Sequence, residues 1–275
     1  MLKYNKFIKN NINKFWGGNM KFYVSQLVET EKILPILRKY DVGLEVVQFA
    51  NPYILDNRYE IMDIYIKELK ELYNNVDLMI HGPYADLCPG SRDHEIRRIS
   101  KLRMEQAYEV ANYLGAKKII YHNGYTPRTY TYIEWKENVY NYWTDFMKGK
   151  NSIPIIIENV LDEDYELMDD LMKRIEKNNF FSCLDVGHVN AYSKYKVEEW
   201  IEVLLFKLNH IHLHNNFGDK DSHFSINKGS MNIIKILHKL KETKKDLTIS
   251  LEIVDLKELE ESLEMLVKEG FIKLK

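Results

Sequence analysis

Short apolar segments alternate with longer amphipathic segments along most of this 275-residue chain. Each short segment has the length of a β-strand, and the run IPIIIE at residues 153–158 is almost continuously apolar, as a strand covered on both faces requires. Each longer segment repeats apolar residues three and four positions apart, which predicts a helix with one face on a sheet. Strands are predicted at residues 21–24, 43–49, 78–81, 118–122, 153–158, 181–185, 210–214 and 247–252.

Each predicted strand is followed by a predicted helix, so the chain consists of eight strand–helix units without a linker between them. Helices are predicted from residue 30 and over residues 61–72, 91–114, 135–146, 165–177, 197–208, 232–240 and 256–267. This order predicts an α/β fold of the closed (β/α)8 type, a single-domain TIM barrel, and the chain length suits one such domain. An open, doubly wound sheet is the alternative, although it would not require eight strands.

Residues 1–19 differ from the rest of the chain, because they are rich in lysine and asparagine and their apolar residues are scattered. They lack the continuous apolar core of a signal peptide. We expect this leader to lie outside the fold, with Met20 as the natural start and residues 20–275 as the barrel domain.

Composition narrows the functional classes only slightly. The formal net charge is −2, acidic and basic residues are interspersed, and no basic tract indicates a nucleic-acid partner. No apolar run approaches the length of a membrane span, and the sequence has no glycine-rich dinucleotide motif or phosphate-binding loop. The two cysteines, Cys88 and Cys183, do not make a disulfide framework, so a reducing cytoplasm is the simplest setting.

Polar residues of metal-ligand type occur near the ends of six consecutive predicted strands. In a (β/α) barrel the carboxyl ends of all strands open onto one face, so these residues should meet there although they are far apart in sequence. They are His81, His122, Glu158, Asp185, His212 and Glu252, with His188, Asp221 and His223 in the loops just beyond.

The segment HIHLHNNFGDKDSH, residues 210–223, is the richest in such groups, with four histidines and two aspartates. A single histidine in a strand is usually a hydrogen-bonded core residue, and that interpretation suits any one of these. The cluster as a whole favours metal ligation, because imidazole and carboxylate together suit zinc or similar divalent ions. Without a cation, such side chains at close range would repel one another or stay protonated.

Six segments of the chain, taken in order, resemble the xylose isomerase-like barrel superfamily. They are IHGPYADL, YHNG, IENV, LDVGH, HIHLHNNFGDKDSH and SLEI, at residues 80–87, 121–124, 157–160, 184–188, 210–223 and 250–253. The superfamily contains sugar isomerases and epimerases, a dehydratase branch, and the endonuclease IV family that cuts abasic DNA. The resemblance covers nearly all of the chain from Met20.

The resemblance also implies a set of metal ligands. The endonuclease IV pattern implies three ions, held by His81, His122 and Glu158, by Glu158, Asp185, His212 and Glu252, and by His188, Asp221 and His223. The isomerase and epimerase pattern implies one ion on Glu158, Asp185, His212 and Glu252, with His188 reaching the substrate. One to three divalent ions are therefore expected, of zinc, manganese or a similar metal.

The chain departs from endonuclease IV after its second strand. That family has a basic and aromatic segment there that enters DNA, whereas this chain has FANPY at residues 49–53. The loop after the seventh strand is closer to the pattern of sugar phosphate isomerases and epimerases. The candidate substrate-binding residues are Tyr84, Asn123, His214 and Asn215, which suit hydroxyl groups, and Lys228, which suits an anion.

These features support three hypotheses about function, in the following order. The first is a metal-dependent isomerase or epimerase of a small sugar or sugar phosphate, in which Glu158 and Glu252 exchange a proton with carbon and His188 contacts the substrate. The second is an abasic-site endonuclease with three zinc ions, and DNA is expected as a partner only in this case. The third is a barrel that binds a ligand without turnover.

Overall fold

The structure of the protein is a computed structural model that describes residues 18–275. Within these residues, eight parallel strands close into a barrel in chain order, and β8 pairs with β1 from Met20↔Leu247 to Val24↔Leu251. This closure confirms the predicted TIM barrel and excludes the open sheet. The strands are β1 Met20–Ser25, β2 Gly43–Val46, β3 Leu78–His81, β4 Ile119–His122, β5 Ile155–Glu158, β6 Phe180–Asp185, β7 Leu208–Leu213 and β8 Leu247–Leu251.

Helices follow the strands and pack on the outside of the barrel, where their apolar faces form the main core. Several begin where an aspartate caps free backbone N–H groups: Asp93 Oδ1 accepts from Glu95 N at 2.8 Å at the start of one helix. The helices are α1 Thr30–Lys39, α2 Pro52–Asp56, α3 Arg58–Leu69, α4 His94–Tyr113, α5 Tyr132–Phe146, α6 Glu166–Arg174, α7 Val186–Tyr192, α8 Val197–Leu204, α9 Ile233–Glu242 and α10 Leu256–Lys268.

The second strand is shorter than predicted. It ends at Val46, and the chain then turns into a short 3₁₀ helix, Gln48–Ala50. Phe49 lies in this helix and packs edge-on against Tyr65, with their ring centroids 5.8 Å apart. Because Phe49 is buried in the core, the apolar run continues past the end of the strand, and hydrophobicity alone could not mark that end.

Side chains that point into the barrel are arranged in layers. Because side chains alternate along a strand, the polar residues at the carboxyl ends share the inward face with a small apolar layer beneath them. At the opposite end, the barrel floor is polar again, and Nζ of Lys118 lies 2.8 Å from Oγ1 of Thr248. The apolar layer consists of Tyr23, Met79, Ile120, Ile156 and Cys183, packed with Phe181.

Three further expectations concern the leader, the two cysteines and membrane spans. Residues 1–17 of the expected leader lie outside the described residues. Asn19 precedes β1, where its N–H donates to Asp246 Oδ1 at 2.8 Å and its carbonyl accepts from Leu247 N at 3.0 Å. Cys88 and Cys183 are free thiols. Among residues 18–275, no helix has the length and apolar character needed to cross a membrane.

Candidate metal centre and active site

Glu158, the last residue of β5, lies at the centre of the polar residues at the barrel mouth. Its Oε2 lies 3.0 Å from Nε2 of His122, 3.2 Å from Nδ1 of His212 and 3.4 Å from Nε2 of His81. Its Oε1 lies 3.4 Å from Nδ1 of His188. Three strands and the short helix α7 thus place histidine side chains around one buried carboxylate, which has an exposed fraction of 2%.

His212, on β7, faces three carboxylates with one nitrogen. Its Nδ1 lies 3.2 Å from Oε2 of Glu158, 3.5 Å from Oε1 of Glu252 and 3.9 Å from Oδ2 of Asp185. This nitrogen is buried and has no hydrogen-bond partner within residues 18–275. An orphaned imidazole nitrogen among three carboxylates is a donor set that fits a divalent cation, because the cation would satisfy the nitrogen and offset the negative charge.

A third group of ligand-type residues lies beside the first two, in the loops after β6 and β7. Oδ2 of Asp221 lies 2.9 Å from Nε2 of His223 and 3.2 Å from Nε2 of His188. Oδ1 of Asp221 lies 3.4 Å from Nε2 of His214, whose ring stacks on that of His223 with centroids 4.0 Å apart. The structure therefore brings all nine predicted ligands together, and it adds His214 to them.

The close approach of His214 requires a glycine at Gly187. A Cβ atom on Gly187 would lie 1.9 Å from Cε1 of His214, well inside van der Waals contact. The short helix α7, which contains Gly187, was not predicted from the sequence. It begins because Oδ1 of Asp185 accepts from the backbone N–H of His188 at 2.7 Å, so one carboxylate both caps the helix and positions the next candidate ligand.

Three of the imidazoles are oriented through Nδ1, which lies 2.8–2.9 Å from a backbone carbonyl oxygen. This contact directs Nδ1 at the carbonyl oxygen and turns Nε2 towards the carboxylates of the site, an arrangement typical of metal-ligating histidines. His223 adopts φ +48°, a sparsely populated conformation that orients its ring in this way. The pairs are His81 with Gly82, His188 with Asn159, and His223 with Glu252.

The two candidate catalytic carboxylates differ in proton affinity. Burial opposes ionisation of Glu158, but the adjacent His212 and His122 outweigh burial and hold its pKa well below its usual range. Burial raises the pKa of Glu252, and although His212 opposes this, the negative charges of Glu158 and other carboxylates add to it. Glu158 is therefore the carboxylate that is ionised and available to accept a proton, and Glu252 retains its proton to higher pH.

His188 and Asp221 form a charged pair at the rim of the site. Burial disfavours the charged form of His188, but Asp185 and Asp221 raise its pKa well above the usual value. Burial also opposes ionisation of Asp221, and contacts with His188 and His223 nevertheless lower its pKa. His122 behaves differently, because burial lowers its pKa and keeps its imidazole neutral, as a ligand requires.

Only some of the candidate substrate-binding residues lie at the mouth of the barrel. Tyr84 does so: its ring stacks on that of His122, with centroids 4.9 Å apart, and 46% of the residue is exposed. His214 is fully buried in the third ligand group and contacts Asp185, with Nε2 3.1 Å from Oδ1. His214 is thus placed as a ligand or a support for ligands more than as a contact for substrate hydroxyls.

The structure does not bring Asn123, Asn215 and Lys228 into the site. Asn123 follows the inward-facing His122, so its side chain points the other way and accepts from Trp143 Nε1 at 2.7 Å. Nδ2 of Asn215 donates to two backbone carbonyls of its own loop, those of Ile226 and Met231, each at 3.1 Å. Lys228 forms an ion pair with Glu258.

Glu45, on β2, was missed by the sequence analysis. It is fully buried inside the barrel, and its Oε1 lies 3.1 Å from Nε2 of His212. The sequence does contain an indication of Glu45, because this glutamate interrupts the apolar run GLEVV at residues 43–47. A single polar residue in such a run does not show whether its side chain points into the barrel.

An open cleft of about 1100 Å³ lies between the loops after β1 and β2. None of the candidate ligands lines it, but Gln26 at its edge follows Ser25, whose Oγ donates to Oε1 of Glu252 at 3.4 Å. Gln48 and Asn51 contribute amide groups to its lining, alongside apolar residues. The cleft has room for a ligand and polar groups that could bind one.

Comparisons with known proteins agree with this description. A family model described as a xylose isomerase-like TIM barrel matches residues 39–269. The uncharacterised protein MJ1311 of Methanocaldococcus jannaschii is 28% identical over 267 residues, which covers 91% of this chain and 89% of that protein. A second protein of that organism, MJ1614, is 27% identical over 222 residues, which covers 78% of this chain and 87% of that protein.

Solved structures show the same fold. That of a D-tagatose 3-epimerase-like protein is 27% identical, with a TM-score of 0.74, and the match covers 90% of this chain and 96% of that one. The TTHB071 protein from Thermus thermophilus, soaked with ZnCl2, is 21% identical with a TM-score of 0.68, and the match covers 92% of this chain and 99% of that one. The resemblance found in the sequence motifs is confirmed, and the chain belongs to the xylose isomerase-like TIM barrel family.

Proposed function

We propose that this protein is a divalent-metal-dependent isomerase or epimerase of a small sugar. The observation that carries the proposal is the convergence of Glu158, Asp185 and Glu252 on the orphaned Nδ1 of His212. These four residues would hold the ion, and their imidazole and carboxylate donors suit zinc or manganese. When bound, such an ion would act as a Lewis acid toward neighbouring oxygens of the sugar.

The two carboxylates beside His212 supply the proton transfer. Glu158, with its lowered pKa, accepts the proton from a carbon next to a carbonyl group of the sugar. Glu252, with its raised pKa, delivers a proton back to carbon. Return to the opposite face of the same carbon gives an epimer, and return to the neighbouring carbon gives an isomer. His188, buried between Glu158 and Asp221, orients a substrate oxygen.

Comparison with relatives supports sugar chemistry within the family. The D-tagatose 3-epimerase-like protein is 27% identical to this chain over 90% of its length. The loop after β7 also resembles that of the isomerase and epimerase branch. A phosphorylated sugar is less well supported, because the candidate anion-binding residue Lys228 is paired with Glu258.

A second candidate function is metal-dependent hydrolysis of a phosphodiester such as abasic DNA. The presence of three adjoining ligand groups favours it, since several close ions can bind both the attacking and the leaving oxygen. The charges at the rim do not favour a polyanion. Arg92 pairs with Glu134, and Arg128 lies 3.7 Å from Glu163.

Exchange of carbon-bound hydrogen with solvent tests the proposal directly. Metal-loaded protein is incubated in D2O with a panel of ketoses, aldoses and their phosphates, and loss of C–H signals is followed by NMR, with chelated protein as the control. We expect metal-dependent exchange for at least one sugar. Efficient incision of an abasic duplex without exchange on any sugar would instead favour the hydrolase. Sugar binding by calorimetry without exchange would indicate a binding protein without turnover.

A further inference from the structure

Glu45 places a carboxylate on the Nε2 side of His212, and ligand-type atoms of His81 and Glu252 also lie within 4.8 Å of it. Its Oε1 lies 3.1 Å from Nε2 of His212, and its Oε2 lies 3.5 Å from Nε2 of His210. All three side chains are fully buried. Within residues 18–275, both oxygens of Glu45 and Nε2 of both imidazoles lack a hydrogen bond of standard geometry, so the contact is one of charge and proximity.

The position of Glu45 bears on which nitrogen of His212 carries the proton. A carboxylate only accepts hydrogen bonds, so its contact with His212 favours a proton on Nε2. Nδ1, on the other side of the ring, then keeps its lone pair and faces Glu158 at 3.2 Å and Glu252 at 3.5 Å. A histidine that binds a metal through one nitrogen and donates to a carboxylate through the other has this arrangement.

A chain of polar groups, buried except for the half-buried Thr248, leads from the floor of the barrel to Glu45. Nζ of Lys118 lies 2.8 Å from Oγ1 of Thr248, and an ammonium group only donates, so its N–H is directed at that oxygen. The hydroxyl of Thr248 is then free to donate to Nδ1 of His210, 2.6 Å away. Nε2 of His210, on the other side of the ring, then carries the proton and lies 3.5 Å from Oε2 of Glu45.

Packing does not account for a carboxylate at this position. Burying a carboxylate costs free energy that an apolar side chain of similar volume would not. The flanking residues Leu44 and Val46 are fully buried apolar side chains, and β2 pairs with both of its neighbouring strands through its backbone. The contact with His212 is therefore the better explanation for Glu45.

We propose that Glu45 is a positioning residue of the metal centre, which holds His212 with Nδ1 unprotonated and directed at Glu158 and Glu252. This inference rests on the metal site of the proposed function. Glu45 acts through His212. The polar chain of His210, Thr248 and Lys118 keeps the carboxylate of Glu45 in place.

Zinc affinity measured by chelator competition tests this role in the full-length protein. Glu45→Gln should weaken zinc binding by about 10- to 100-fold, the usual effect of losing such a support, and Glu45→Asp should restore part of it. Thr248→Val, which removes the hydroxyl beside His210, should weaken binding less and provides a second test if Glu45→Gln does not fold. Asp162→Asn removes another buried carboxylate and should leave the affinity unchanged.

A second measurement separates positioning from other roles. Long-range ¹H–¹⁵N NMR at saturating zinc should show His212 protonated on Nε2 in the wild type and a mixture of tautomers in Glu45→Gln. If Glu45→Gln binds zinc as tightly as the wild type, Glu45 has no positioning role. The metal site of the proposed function would be unaffected by that result. Loss of zinc with an unchanged tautomer would make Glu45 a direct ligand and overturn positioning. Absence of zinc binding by the wild type would overturn the metal site itself and this inference with it.

Discussion

Nδ1 of His212 lies 3.2 Å from Oε2 of Glu158, and both residues are buried beneath the mouth of the barrel. Asp185 and Glu252 place further carboxylate oxygens 3.9 and 3.5 Å from the same nitrogen. Three carboxylates so close together repel one another unless a proton or a cation lies among them. The charge balance of the site, and hence its stability, therefore depends on whether a cation is bound.

Replacing Glu158 by Gln keeps the shape of the side chain and removes its charge. We expect metal content, measured by elemental analysis, to fall, and proton exchange on the sugar to fall at least about 100-fold, because the carboxylate is both a ligand and the proton acceptor. Glu163→Gln, which removes a carboxylate 3.7 Å from Arg128 at the rim, should keep both properties. Normal metal content and turnover in Glu158→Gln would rule out this assignment.

Adding metal to chelator-stripped protein should stabilise the fold. An ion that binds only the native state at 100 times its Kd adds about 2.7 kcal/mol to the free energy of unfolding. For a domain of this size that corresponds to a rise in Tm of roughly 5–10 °C, measured by scanning calorimetry. Asp185→Asn should reduce the rise. A Tm that does not respond to zinc or manganese at any concentration would contradict the metal site.

Asp162 should make the stability of the protein depend on pH. Burial raises its pKa to about 6, above the ordinary value of 3.8. The folded state therefore binds this proton more tightly than the unfolded chain, so stability falls as pH rises from about 4 to about 6. Above that range the ionised group costs about 3 kcal/mol, which Asp162→Asn should recover at about pH 8 and not at about pH 4, as measured by denaturant unfolding.

A control for this prediction lies two residues away. Asp164 accepts from Tyr132 at 2.8 Å and pairs with Lys194 at 3.0 Å. Although burial opposes its ionisation, these contacts lower its pKa, so Asp164→Asn should destabilise the protein at neutral pH. Equal effects of the two substitutions at neutral pH would show that burial of Asp162 is not the cause.

Abasic duplex DNA should bind weakly, and its affinity should fall steeply as salt is raised. A nuclease that binds a duplex needs several lysine or arginine contacts to phosphate, whereas Arg92, Arg128 and Lys228 each lie beside a carboxylate. The segment after β2 offers an exposed Tyr53 but buries Phe49. Fluorescence anisotropy across a salt series measures the affinity for the duplex. Tight binding at physiological salt would favour the nuclease hypothesis over the isomerase or epimerase.

The eight strand–helix units and the nine ligand-type residues could be predicted because both are local properties of the chain. Alternation of apolar and polar residues marks a strand wherever it lies, and a polar residue at the end of an apolar run marks the carboxyl end, as at His81 and Glu158. Given a barrel, the geometry of the fold requires those ends to share one face. Closure of the barrel then brings His81, His122 and His212 to Glu158.

The tertiary structure decided which side chains the site uses and how they are oriented. Asn123 turns to Trp143 because it follows the inward-facing His122, and Lys228 pairs with Glu258, thirty positions further along the chain. Glu45 becomes a partner of His212 only when β2 and β7 face each other across the barrel. Near neighbours along the chain are enough to specify the strands and the polar residues at their ends, so both could be predicted. Contacts across the barrel depend on residues far apart in sequence, so only closure of the sheet could determine them.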